Sequence, residues 1–173
     1  MDKQKIESIL RRFLLPALAL LLVAAFLLYC EGRVQTEFPG LYPQDGVLDA
    51  REVDFSADVY HLVNHWDYYP GQLLSPDLFA DPASAPEKDN DAPLNAIKGT
   101  WRLRIQAQPY TYLSLCSYSI DYSTRIFVNG QEVRSIGYVS DDPAQAIPKG
   151  RYVTLPLYFD ASGETEIIYQ YAN

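Results

Sequence analysis

Two histidines, His61 and His65, are the chain's whole imidazole complement, and they lie four residues apart. On a helix that spacing would turn both rings to one face, where they could share a zinc ion. The intervening Leu62-Val63-Asn64 supplies no acid, and the flanks read as strand, where positions i and i+4 stand ~13 Å apart. Ser114, Ser117, Ser119 and Ser123 surround Cys116, but a nucleophile needs a partnered base, and no G-x-S-x-G elbow occurs. Asp121 and the pair Asp141-Asp142 are the carboxylates that glycoside hydrolysis would call on, and they read as solvated loop acids. Asp89, Asn90 and Asp91 offer oxygens to calcium without the further ligands of a calcium loop. Gly40, Gly46, Gly71, Gly99, Gly130 and Gly137 are scattered singly, so no phosphate cradle forms. These residues predict no catalytic site, no cofactor and no metal.

Binding is a different matter. Tyr68, Tyr69, Tyr110, Tyr112, Tyr118, Tyr122, Tyr138 and Tyr152 are more aromatic hydroxyls than one core needs. Exposed rings of this kind stack on sugars and other small ligands. Trp66 and Trp101 fall in strand patterns and are expected in the core. Tyr138 follows a hairpin and adjoins Asp141 and Asp142; these three are the sequence's candidate ligand-facing residues.

The elements that must position them follow from composition. The chain has 173 residues, with 14 Tyr and 12 Pro against a single Met, a balance that favours β structure over helix. Lys3, Lys5, Arg11 and Arg12 against Asp2 and Glu7 give the first twelve residues +2, which leaves −10 on the remainder of a chain whose net charge is −8. Such an acidic domain is repelled by phosphate backbones and anionic lipid surfaces, so nucleic acid is not an expected partner. Two cysteines, Cys30 and Cys116, make no disulfide framework, and Cys116 in its apolar stretch is expected to be a buried thiol.

Residues 13–30, FLLPALALLLVAAFLLYC, carry no charge. As a helix they would run ~27 Å, enough to reach across a hydrocarbon core. Arg11 and Arg12 precede the run and Glu31 follows, which places the N-terminus in the cytoplasm and the rest outside. Phe26-Leu27-Leu28-Tyr29 continue past Ala24-Ala25, so an uncleaved signal anchor is expected. The organisation is then a cytoplasmic N-terminus (1–12), a transmembrane anchor (13–30), a linker (31–49) and an extracytoplasmic domain (50–173), in a bacterial cell membrane. Residues 80–99, rich in Pro, Asp and Ala, are the longest expected loop.

Strand signals fill the exported part. Trp101, Leu103 and Ile105 alternate with Arg102, Arg104 and Gln106. Thr124 to Val128 and Gln131 to Ile136 flank Asn129-Gly130, the dipeptide of a type I′ hairpin. Val153, Leu155, Leu157 and Phe159 alternate again, with Pro156 marking an edge, and Ile167, Tyr169 and Tyr171 close the chain. Short strands, frequent turns and no long amphipathic helix predict an all-β antiparallel sandwich.

Several stretches resemble a known family. Val53-Asp54-Phe55 with HWDYYPGQLLSPDLF (His65 to Phe79) is similar to the start of the galactose-binding-like jelly roll that fronts bacterial seven-transmembrane receptors with diverse intracellular signalling modules. Related exported regions precede histidine kinases and diguanylate cyclases. Thr100 to Ile105 resembles that family's Thr-Tyr-Arg-Leu strand, Arg125 to Val133 its Asn-Gly hairpin with Gly137 after it, and Glu166 to Asn173 its closing strand. Asn64 stands where the family has Gly, and its Pro-x-x-Trp segment has no clear counterpart. The resemblance covers about residues 50–173. It implies a jelly-roll sensor domain that takes a small-molecule, sugar or peptide ligand and acts with a membrane signalling partner or as a homodimer. Any kinase or cyclase activity of a two-component or similar system would lie in a module outside this chain. A carbohydrate-binding accessory domain of a cell-surface glycosidase is the alternative, because the hairpin motif occurs there too.

Overall fold

A computed structural model describes residues 13, 16–18, 20–26, 38–63, 65–81, 85–119 and 122–173, with the side chains of 118 and 119 excepted. The chain divides into two units, Met1–Phe38 and Pro39–Asn173. In the first, residues 13, 16–18 and 20–26 are helical. Among the described residues no helix is long and apolar enough to cross a membrane. Residues 14, 15, 19 and 27–30 of the expected anchor, Cys30 included, lie outside the described residues, as do residues 1–12 and Asp121.

The second unit is all β apart from short 3-10 turns. Its centre is strand β10 (Glu164–Ala172), which pairs antiparallel with β5 (Lys98–Gln106) on one side and β7 (Ser123–Val128) on the other. Asn129 and Gly130, with φ of 48° and 79°, return β7 into β8 (Gln131–Ile136), as a type I′ turn requires. The far edge of β5 is shared. Strand β2 (Val47–Asp49) lies parallel to Arg104–Gln106, and β4 (Asp67–Pro70) runs antiparallel to Gly99–Arg102. The result is a six-stranded sheet. Two smaller sheets accompany it: β6 (Tyr112–Ser119) paired antiparallel with β9 (Arg151–Tyr158), and the two-residue strands β1 (Gly40–Leu41) and β3 (His61–Leu62). Residues expected to be linker thus carry β1 and β2, because Leu48 finds a buried place in the core.

Alternation decides the packing. On one face of the large sheet Leu103, Ile105, Ile126 and Ile167 meet Val153, Leu155, Leu157 and Phe159 in a buried core. Exposed residues alternate with these along β9, and among the described residues β9 pairs only with β6, so Pro156 sits where its missing N–H costs little. Trp101 is half-buried and stacks on Tyr68 at 4.1 Å, while the Tyr68 and Tyr171 hydroxyls share a 2.6 Å hydrogen bond. Burial, with that hydrogen bond second, pushes the Tyr171 phenol far above its ordinary range. Cys116 is a correction to the sequence reading. It is exposed, because the register puts it with Thr154 on the outer face of the β6–β9 sheet and turns Leu113 and Leu115 inward.

The opposite face of the large sheet is covered by the stretch after β4, through Leu74 and the 3-10 turn Pro76–Phe79, against Ile168 and Phe127. Thr100 bolts it down: its hydroxyl donates to the Gln72 carbonyl (2.7 Å) and accepts from the Leu74 amide (2.9 Å). Gln170 donates to the Leu74 carbonyl at 2.8 Å. Within the expected long loop, Lys88 reaches the buried Asp67 carboxylate (2.6 Å), and Asn90 accepts from the Tyr68 amide (2.8 Å). Asp67 in turn lies where a side chain on Gly46 would have to go, which fixes glycine there. Removing the Thr100 hydroxyl leaves the buried Leu74 amide without an acceptor and the part-buried Gln72 carbonyl without its donor. Thr100→Val is therefore expected to cost about 1–3 kcal/mol in denaturant unfolding, with the Leu74 amide losing its protection from hydrogen exchange.

Candidate functional site

The second unit carries a cleft of about 660 Å³. Its floor is apolar and buried: Leu48 and Ala50 after β2, Ile105 and Ala107 at the end of β5, and Leu157 of β9. Leu41, Val53, Phe55, Leu62, Leu113 and Leu115 form half-buried walls. The polar rim is Ser56, Asp58, Gln108, Thr111 and Ser114, joined by the aromatic Tyr60 and Tyr112. Apolar walls with a few polar groups at the mouth are the usual make-up of a small-ligand site, and the volume falls within the usual range.

Local turns shape the segment between β2 and β3. Asp54 accepts from the Ser56 hydroxyl (2.6 Å) and amide (3.0 Å), and these bonds hold its carboxyl below the ordinary range. The Tyr60 hydroxyl donates back to the Asp54 carbonyl at 3.2 Å, and the Phe55 and Tyr60 rings meet edge to face at 5.4 Å. The segment is closed on itself, and Phe55 is presented to the cleft. Gln108 donates to the Arg51 carbonyl at 2.7 Å, which ties the end of β5 to the corner after β2. That corner is held by Arg51 on Asp49, at 2.8 and 2.6 Å. The Arg51 side chain lowers the Asp49 carboxyl to about 2 from 3.8.

The residues singled out from sequence lie elsewhere. Tyr138 is half exposed, and its backbone bridges Ile147 in both directions at 3.1 and 3.0 Å. Asp141 accepts from Lys98 at 2.9 Å, and Asp142 caps the turn Pro143–Gln145 through the Ala144 amide at 3.0 Å. The structure brings the three into one loop, but the carboxylates already hold structural partners and none of the three lines the cleft. His61 is exposed on β3, and neither histidine lines the cleft. Among the described residues no cluster of His, Cys, Asp and Glu could hold a metal ion. The cleft itself had no sequence signal, because its walls come from Leu41 to Leu157 and no local pattern spans that separation.

No protein-family model, curated protein or solved structure matches the chain. The likeness to galactose-binding-like sensor domains therefore rests on the motifs alone.

The Asp49–Arg51 pair gives the cleft corner a pH dependence. The Asp49 carboxyl is more acidic folded than unfolded, so its contribution is complete above 3.8 and fades as pH falls from there towards about 2. Both side chains are more than half exposed, so the contribution is small. Asp49→Asn should accordingly be slightly less stable than wild type above 3.8 and approach it as pH falls. In practice, the stability difference between the two is expected to narrow below 3.8, and an undiminished difference there would contradict this role.

Proposed function

We propose that residues 39–173 are an extracytoplasmic ligand-sensing input domain of a bacterial membrane signal-transduction protein. In this reading the β-sandwich is a galactose-binding-like jelly roll, residues 13–30 are its signal anchor, and the domain binds rather than catalyses. The observation that carries the proposal is the cleft of about 660 Å³, apolar within and polar at its mouth, beside a buried core. The order of the motifs, from Val53-Asp54-Phe55 to the closing strand, adds the family context. Kinase or cyclase chemistry would belong to a separate output module.

A second reading, a carbohydrate-binding accessory domain, draws on a surface that adjoins the cleft at Tyr112. On the outer face of the β6–β9 sheet Tyr112 and Tyr158 sit with ring centroids 4.7 Å apart, and Tyr152 is exposed farther along β9. Flat aromatic surface of this kind suits a sugar face.

Thermal-shift screening of the full chain against small molecules, peptides and soluble glycans separates the two. Sensing through the cleft predicts a ligand whose stabilisation is lost when Leu113→Trp fills the cavity and is kept in Tyr158→Ala and Tyr138→Ala. At a hundredfold excess over Kd such a ligand adds about 2.7 kcal/mol. Stabilisation by glycans alone, lost in Tyr158→Ala and indifferent to Leu113→Trp, would favour the carbohydrate module and sink the cleft as the sensing site.

A further inference from the structure

Resting on the reading of the cleft as the ligand site, we infer that its ligand is a hydrophobic amine: an apolar body of modest size carrying an ammonium group.

The charge of the lining is the first reason. Asp58 is the only charged side chain among the described residues that line the cleft, and no Lys, Arg or His accompanies it. Asp58 sits exposed at the rim, and the hydrogen bond it accepts, at 2.8 Å, comes from the adjacent Val59 amide. That bond leaves the carboxylate further acceptor capacity. An anionic head group would meet this charge without compensation, whereas an ammonium would gain a charge-assisted hydrogen bond.

Aromatic faces are the second. Phe55, Tyr60 and Tyr112 line the same cleft as Asp58, with Phe55 and Tyr60 in edge-to-face contact at 5.4 Å. Aromatic rings in a cleft attract a cation through their negative faces, as they do where alkylammonium groups are held. The third reason is the floor. Leu48, Ala50, Ile105, Ala107 and Leu157 offer no side-chain hydrogen-bonding partner, so the part of the ligand that goes deep must be apolar. A sugar, polar on every edge, would leave its hydroxyls unpaired there. At water's ~30 Å³ per molecule the space of about 660 Å³ accommodates on the order of twenty non-hydrogen atoms, which limits the body to a few rings or a chain of similar size. The acidic balance of the chain, −8 overall, further raises the local concentration of cations over anions.

Three soluble probes with the same body and different heads test this: phenylbutylamine, phenylbutanol and phenylbutanoate, each titrated calorimetrically into the full chain. The amine is expected to bind tightest and the carboxylate weakest. Asp58→Asn, at an exposed position that leaves the core intact, should weaken the amine about fivefold to tenfold and leave the alcohol unchanged. Tyr112→Leu should weaken the amine about threefold and the alcohol less. Asp91→Asn removes the same charge on a distant loop and should leave amine binding as it was. Equal affinity for the three heads, or an amine affinity indifferent to Asp58→Asn, would overturn the inference. So would an equal loss in Asp91→Asn, which would trace binding to overall charge. If none of the probes binds while another compound still stabilises the chain in a manner that Leu113→Trp abolishes, the ligand class is wrong and the sensing cleft stands. If nothing stabilises the chain through the cleft, both fall.

Discussion

From Ile167 onward strand β10 buries side chains on both faces, and neither face can be left to water. Ile167 points into the core shared with β9, and Ile168, the next residue, points into the opposite layer with Leu74 and Phe79. A strand of this kind must lie in the middle of a sheet and must be covered twice. Its backbone is satisfied by β5 and β7, and its faces by β6–β9 on one side and the stretch after β4 on the other. Most of the remaining architecture follows from these obligations. The hairpin turn helps to hold the pairing, since the Asn129 side chain accepts from the Glu166 amide at 2.8 Å and the Asn129 amide donates to the Glu166 carbonyl at 2.9 Å.

The two coverings are not equivalent, and the difference creates the cleft. Six strands on one side face only two, β6 and β9, on the other. The irregular segment from Val53 to Tyr60 and the short β3 after it supply further apolar cover, through Val53, Phe55 and Leu62. Irregular backbone cannot interdigitate as closely as a pleated strand, and the space left over is lined by apolar side chains from both layers. A cavity thus arises at the place where the layers run short of regular structure, and loops are where function usually sits.

Polar groups buried beside this core serve the coverings. Thr100 and Gln170 face the stretch they anchor, and Asp67 holds Lys88 and so keeps the following loop against β4. Burial beside the sheet raises the Tyr69 phenol, and the Asp67 hydrogen bond raises Lys88, both reflecting this polar belt at the sheet's edge. The charge at the cleft mouth is of another kind: Asp58 is exposed, and no cation faces it among the lining residues.

By itself the sequence determined the elements whose rules are local. Asn129-Gly130 fixed a type I′ hairpin because few dipeptides accept two positive φ angles, and the alternation in Leu103–Ile105 and Val153–Phe159 marked inward faces correctly. It also set the all-β class. The tertiary structure alone decided what depends on pairing across long separations. Gly40–Leu41 and Val47–Asp49, too short to show a period, became strands only because β3 and β5 offered edges. Cys116 was turned outward by its register against Thr154, since a shift of one residue exchanges the two faces of a strand. The acids beside Tyr138 became a lysine partner and a turn cap, uses that no spacing announces. The cleft came last, from side chains as far apart as Leu41 and Leu157, because a cavity is what remains after every other element has packed.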